Sequence, residues 1–475
     1  MIMKKYIIAL LALVTLWSCQ SDEDYEDLNR DPKNPTQVSE AFLFTSATVS
    51  LGDQLATPNV NLNVFRFLAQ YLSTTTYLDE PNYNLTNRNI PQNHWSEIYR
   101  DVIFDLQNAK TNIMNNADLS ETEKSARIGQ AEVLEVYAWH VLVDSFGDIP
   151  YTEALDAQQF PLPAYDDAST IYGDLISRLD STTADLEAGQ GFTSADVIYG
   201  GNMDKWVKFA NSLKLRLAMR LSDVNPSLSQ SAAESAISGG IFTSNDDSAL
   251  IAYQGSFPNT NPLWEDLVQS GRSDYLAANT IVDYLNDLND PRRMYYFDDN
   301  LSGGYVGGIY GGSNSFPFFT HIGEDFRDPT HPGIFLDYAE VEFYLTEAVQ
   351  DGYSAPGSAE SHYNAAITAS IMYAGGTQAD VDSYLSQSSV AYDGTEYRLG
   401  FQFWIAMYDN PFQGWSVWRK YDAPELNVAA DSGRPVPLRY TYPVNEQNLN
   451  PTSYEAASSA IGGDDQQTPI FWDVE

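Results

Sequence analysis

The chain of 475 residues carries 65 acidic against 25 basic side chains, a formal net charge of −40, and is 43% hydrophobic and 13% aromatic. A field of that sign repels phosphate backbones and anionic lipid surfaces and argues against nucleic-acid binding, while the apolar content is ample for a large core. The one cysteine excludes an intramolecular disulfide and a cysteine-based zinc site.

That cysteine, Cys19, follows Lys4 and Lys5 and an apolar run over residues 6–16, which is too short to span a bilayer. Leu16-Trp17-Ser18-Cys19 has the order of a bacterial lipoprotein cleavage site. Residues 1–18 are therefore expected to be a signal peptide, with Cys19 lipidated. The stretch 19–37 opens acidic and poor in apolar residues, as expected of a solvated tether. Residues 38–475 are expected to form a single domain.

Apolar residues recur at helical spacing along 95–114, 121–146, 168–188 and 206–221. A shorter helix is expected from about Val38 to Ser50. Gly147 and Pro150 end the longest pattern. The fold class is mainly α, with helix pairs spaced like divergent tetratricopeptide repeats. Residues 243–336 break the pattern with glycine, asparagine, serine and aromatics. This insert is expected to be loop-rich apart from a helix at about 274–288. Its glycine run 303–312 lacks the Gly-Lys-Ser/Thr ending of a phosphate loop and reads as a mobile surface loop. Helices return at 336–350, 359–373, 378–388, 401–408 and 414–421. The tail from Pro435 is expected to be irregular, with one short helix near Asn445.

Catalytic signals are weak. The five histidines form no metal-ligand pair, and His140, inside an apolar helix, reads as a satisfied core residue. No Gly-x-Ser-x-Gly elbow is present, and the many carboxylates have no context that singles out a glycosidase pair. No metal, cofactor or catalytic residue is expected. Residues 245–248 and 325–328 lack the spacing of a calcium loop and read as turns.

Aromatic residues in polar loops give the positive signal, because tyrosine and tryptophan offer a flat apolar face with a polar tip. Two such regions stand out: 73–94, with Tyr77 and Tyr83, and 253–320, with Trp264, Tyr305, Tyr310 and Phe316. Asp79, Asn82, Asn84 and Asn87 could orient a ligand by hydrogen bonds. Loops on a rigid scaffold commonly carry binding groups, so a ligand-binding face built from these eight residues is expected: Tyr77, Asp79, Asn82, Tyr83, Trp264, Tyr305, Tyr310 and Phe316.

Several segments resemble one family. Asn29-Arg30-Asp31-Pro32-Lys33-Asn34-Pro35-Thr36, Trp95-Ser96-Glu97-Ile98-Tyr99 and Asp144-Ser145-Phe146-Gly147-Asp148-Ile149-Pro150-Tyr151 come first. Asn289-Asp290-Pro291-Arg292, Tyr338-Ala339-Glu340-Val341-Glu342-Phe343 with Glu347-Ala348, and Tyr442-Pro443 with Glu446 follow. In this order, behind a lipoprotein cleavage site, they resemble the SusD/RagB-type nutrient-binding outer-membrane lipoproteins of Bacteroidetes, within the SusD-like group. The resemblance implies a scaffold of tetratricopeptide-like helix pairs, an irregular ligand face and no catalysis. It also implies a TonB-dependent β-barrel transporter as partner and a lipid-anchored place on the outer membrane, facing the exterior. The expected ligand is an oligomeric nutrient, a glycan first and a peptide as alternative. A lipid-anchored hydrolase and an adhesion scaffold are the rival readings. A Cys19→Ala variant is expected to leave the membrane fraction; retention there with an acyl label still attached would overturn the lipidation reading.

Overall fold

In the computed structural model short polar side chains start several of the long helices, where Asp167, Asn202, Asn225 and Asp337 each accept a free backbone N–H of the first turn. The structure describes residues 38–474; the signal peptide, Cys19 and the acidic tether expected from the sequence lie outside the described residues. The helices and strands, in chain order, are α1 (Glu40–Ala56), α2 (Phe65–Leu68), β1 (Leu72–Thr74), α3 (Ile90–Ser96), α4 (Phe104–Asn115), α5 (Glu121–Phe146), α6 (Ala168–Glu187), α7 (Met203–Arg220) and α8 (Pro226–Gly239). The insert contributes β2 (Ala249–Ile251), α9 (Pro262–Trp264), β3 (Tyr275–Ala277), α10 (Asn279–Asp287), α11 (Arg293–Tyr296) and β4 (Gly333–Leu336). The chain ends with α12 (Tyr338–Gln350), α13 (Ala359–Tyr373), α14 (Gln378–Leu385), α15 (Glu396–Ala406), α16 (Pro411–Tyr421), α17 (Val444–Leu449) and α18 (Pro451–Ala460).

At the start of α5, Ser120 accepts the Glu123 N–H while Glu123 accepts the Ser120 N–H, a reciprocal cap. Gly147, at φ 84° and ψ −127°, takes a positive-φ conformation that favours glycine and stops the helix. Between α3 and α4 the helix widens into a π-type stretch, Glu97–Ile103, so one long sequence pattern becomes three consecutive segments. Successive helices pack on one another from α4 through α8, and α12 with α13 and α15 with α16 form further pairs, with α7 packing on α12. The fold is thus mainly helical, built of packed helix pairs in a tetratricopeptide-like arrangement. From Glu40 on it is one compact unit. No helix among the described residues is long and apolar enough to cross a membrane.

The insert departs from its sequence reading. Residues 275–277 pair as a strand instead of opening a helix, so α10 begins at Asn279. Sheet content is small: β1 pairs antiparallel with β3, and β2 with β4. The glycine run is not a free surface loop. Gly308 donates to the Ala277 carbonyl and accepts from Asn279 N, extending the β1–β3 pair by one bridge. A Cβ on Gly307 would stand 2.4 Å from the Asn279 Cα, so only glycine fits this approach. The tail carries two helices, α17 and α18, where one was expected. Residues 245–247 and 325–327 form tight turns.

The core is threaded by buried charge. Arg216 of α7 and Glu340 of α12 are both fully buried and paired in a bidentate contact through Nε and Nη2, at 2.6 and 2.9 Å. Arg216 also donates to the Phe335 carbonyl and lies over the Tyr137 ring. His140 is a satisfied core residue: its Nδ1 faces the Tyr137 carbonyl and its Nε2 the Arg216 guanidinium at 3.4 Å. Burial, then the charge of Arg216, holds its imidazole well below the usual range and keeps it neutral. Removing one member of a buried pair leaves an uncompensated charge, which costs about 3–5 kcal/mol, whereas replacing both by apolar groups is often near neutral. Glu340→Leu is therefore expected to lower Tm sharply and Arg216→Met/Glu340→Leu to recover much of the loss; equal destabilisation by the single and double variants would contradict this account.

Candidate ligand-binding site

The loop face is organised by the fully buried β1–β3 pair, in the register Leu72↔Ala277, Ser73↔Leu276 and Thr74↔Tyr275. Where the pairing ends, the two strands release loops that stay clasped. Thr75 N donates to the Asp274 carbonyl at 2.8 Å, and the Thr75 hydroxyl to the Ser273 carbonyl at 2.7 Å. The Asp274 carboxylate accepts from the Thr76 hydroxyl at 2.8 Å, the Tyr77 hydroxyl at 3.1 Å and the Arg272 guanidinium. Burial raises the Asp274 pKa, but hydrogen bonds from Arg272, Thr76 and Tyr77 outweigh it and hold the group below the usual carboxylate range.

Beside this clasp lies a cleft of about 340 Å³. One wall is Leu267, Arg272, Ser273, Asp274 and Tyr275; the other is Asp298, Phe316, His321, Ile322 and Arg327. Arg327 reaches Asp298 at 3.5 Å, and His321 stands 3.9 Å from the same carboxylate. Phe316 stacks on His321 with ring centroids 3.8 Å apart, and the His321 Nε2 faces the Phe316 carbonyl at 3.1 Å. The segments that supply these walls also carry exposed apolar side chains: Leu78 next to Tyr77, Val268 next to Leu267, and Phe318, 72% exposed, next to Phe316. Concave shape, a few fixed polar groups and apolar surface nearby are the usual ingredients of a small-ligand site.

The eight residues singled out from the sequence separate in the structure. Phe316 lines the cleft. Tyr77 lies behind its Asp274 wall, its ring flanked by the Arg88 and Arg272 guanidiniums at 5.3 and 5.9 Å, so it braces the site more than it offers a bare face. Trp264 is half-buried at the end of α9, capped by the buried Asn261 side chain, and pairs with the exposed Phe257 at 6.2 Å. It does not line the cleft, although the wide turn Glu265–Gln269 that follows it brings Leu267 there. Tyr305 is half-buried against Phe297 and also lies outside the cleft lining.

Tyr83 and Tyr310 are each 1% exposed, with ring centroids 6.2 Å apart. Tyr310 donates to the Phe67 carbonyl. Both are buried and pin their loops, so neither offers a bare ring face to a ligand. Asn82 is buried too, and donates to the Leu78 and Gly311 carbonyls while accepting from Ser432 N, so one side chain ties three loops together. Asp79 is exposed, and its carboxylate is held by Asn87 at 2.9 Å and Asn84 at 3.3 Å. Asn82 and Asn87 thus fasten the loop.

Sequence reasoning missed Arg272, Asp274, Leu267, Asp298, His321 and Phe318. Phe318 had a visible signal in the run Phe316-Pro317-Phe318-Phe319, where proline and polar flanks keep aromatics from a periodic core. The charged residues had none, since they are ordinary members of an acidic chain until the strand pairing gathers them.

Residues 32–443 match the model of a family described as starch-binding and associating with the outer membrane. No curated protein matches the chain. Among solved structures, a chitin-binding protein is 26% identical, with a TM-score of 0.82 over 92% of this chain and 100% of its own. A SusD homolog from Bacteroides uniformis is 25% identical, with a TM-score of 0.79 over 91% and 100%. A chitin-binding SusD homolog from Flavobacterium johnsoniae is 24% identical, with a TM-score of 0.78 over 92% and 98%, and shows the shared fold. The helical scaffold, the loop face and a family match over most of the chain agree: this protein belongs to the SusD-like family of starch-binding, outer-membrane-associated proteins.

Proposed function

We propose that this protein captures a glycan chain at the cleft between Leu267–Tyr275 and Asp298–Arg327 and hands it to a TonB-dependent β-barrel transporter in the outer membrane, to which a lipid on Cys19 anchors it. The observation that carries the reading is the cleft itself. It joins fixed ion pairs, which orient hydroxyl groups, to an apolar edge at Phe316, and the exposed Phe318, two residues on in the same segment, offers a face for stacking on sugars. The charged groups of the lining are paired, Arg272 with Asp274 and Arg327 with Asp298, which suits a neutral ligand. Family membership and the chitin-binding relatives support a glycan over a peptide. The role is binding and delivery, with no chemical step.

Calorimetric titration of the full-length protein in detergent with maltohexaose and chitohexaose tests this. Binding of at least one is expected, and binding of neither would overturn the glycan reading. An exposed aromatic that stacks contributes about 0.5–1.5 kcal/mol, so Phe318→Ala is expected to weaken binding about threefold to tenfold with Tm unchanged. Trp264→Ala, outside the cleft, is expected to have the smaller effect. Unchanged affinity in Phe318→Ala, or a larger loss in Trp264→Ala, would place the site elsewhere on the loop face. Recovery of a β-barrel transporter with affinity-tagged protein from outer membranes tests the delivery step; its absence would remove that part of the proposal.

A further inference from the structure

A second groove, of about 380 Å³, is lined by the segments 83–86, 434–441 and 465–467 and shares no lining residue with the first cleft. Tyr83 and Leu85, each 1% exposed, back it. Apart from Pro435 its accessible lining is polar and comes from three separate chain segments, with Asn84 and Thr86 from one, Arg434 and Thr441 from another, and Asp465 and Gln467 from the third. The segments are held firmly. Gln466 Nε2 donates to the Tyr83 carbonyl, Gln467 Nε2 to the Val436 carbonyl, and the Asp465 carboxylate accepts from Gln467 N. Asn82 fastens the first segment to Ser432, two residues before Arg434.

Arg434 is the unusual member. In a chain with 65 acidic and 25 basic residues, a guanidinium at the surface has many carboxylates to choose from. Every other lysine and arginine among the described residues directs its head group to a carboxylate or another oxygen acceptor. Arg434 alone has no side-chain partner; its one hydrogen bond is through the backbone N–H to Ser432. Its five N–H donors are therefore uncommitted at the lining of a groove that also offers amide and carboxylate oxygens.

From this mixture we infer that the groove is a second glycan subsite, which takes a neutral, hydroxyl-rich segment by hydrogen bonding and not by stacking. The inference rests on the glycan reading proposed above. A hydroxyl both donates and accepts, so it matches a lining that offers guanidinium donors beside carboxylate and amide acceptors. An anionic ligand would gain Arg434 but face the Asp465 carboxylate, and a cationic one the reverse. No exposed aromatic lines the groove. The two clefts would therefore grip a glycan differently, one on ring faces and one on hydroxyl edges.

Calorimetry on the full-length protein in detergent tests the assignment, with maltohexaose and chitohexaose as neutral probes and hexagalacturonate as the anionic one. Arg434→Ala removes no internal contact, so its Tm is expected to match the parent, and loss of one or two hydrogen bonds should weaken binding of the neutral probe about threefold to tenfold. Gln467→Ala should act in the same direction, and because its amide also donates to the Val436 carbonyl its Tm is measured alongside so that a loosened groove is told from a lost ligand contact. Arg434→Ala and Gln467→Ala that both bind the neutral probe as tightly as the parent, while Phe318→Ala binds it more weakly, would overturn the second subsite and leave the first cleft standing. Binding of hexagalacturonate that depends on Arg434 and exceeds that of both neutral probes would overturn the ligand class. A parent that binds neither neutral probe would remove the glycan reading and this inference with it.

Discussion

Two arginines one helical turn apart, Arg216 and Arg220 on α7, are buried completely, and the rest of the scaffold is arranged around what they require. An arginine cannot shed its charge at any ordinary pH, so each must be met by acceptors brought from other helices. Arg216 draws Glu340 from α12 and the Phe335 carbonyl from β4. Gln413 of α16 then donates to Glu340 and accepts from Arg220, which closes a chain across three helices. Arg220 lies 3.8 Å from Asp144 at the end of α5 and over the ring of Trp472. Asp144 in turn accepts from Tyr172 and Trp472, while Arg419 donates to its carbonyl. The superhelix and its C-terminal segment are thereby fixed to one another by directional bonds as well as by apolar packing.

This explains why so much of the fold was legible in the sequence. The segments that carried the family resemblance are largely these buried polar residues. Asp144 stands in one, Glu340 and Glu347 in another, and Asp290-Pro291-Arg292 forms a fully buried ion pair of its own. Tyr99 donates to the Pro150 carbonyl, linking two of the segments, and Glu446 accepts from Tyr165. Helical periodicity supplied the rest, because a scaffold of packed pairs needs an apolar stripe on each helix. It failed at α8, whose buried residues are Ser229, Ala232, Ala233 and Ala236, too small and too few to stand out as a stripe.

The ligand face was less legible for a related reason. In the insert, aromatic residues have no period to mark which are buried. Tyr310 looks from its neighbours like a loop aromatic, yet it is buried and bonded to the Phe67 carbonyl. Phe316 and Tyr77 were found, but the charged residues around them are gathered by the pairing of β1 with β3, which are some 200 residues apart in the chain. Asn82 shows the same limit. Its residue type suggests ligand contact, and its burial makes it a fastener.

The β1–β3 pair has a further consequence. Its strands are three residues long and all six residues are buried, so a slip of one position would turn every side chain to the wrong face. Register is therefore locked at the base of the loops, while the loops beyond it close back on themselves through their own side chains. Lengthening a clasped loop carries a small entropic penalty and leaves the strands beneath it in place. Such an arrangement separates inheritance of the frame from variation of the grip: descendants of one ancestral chain can change what they hold by editing loop length and tip residues, without renegotiating the helical frame that supports them.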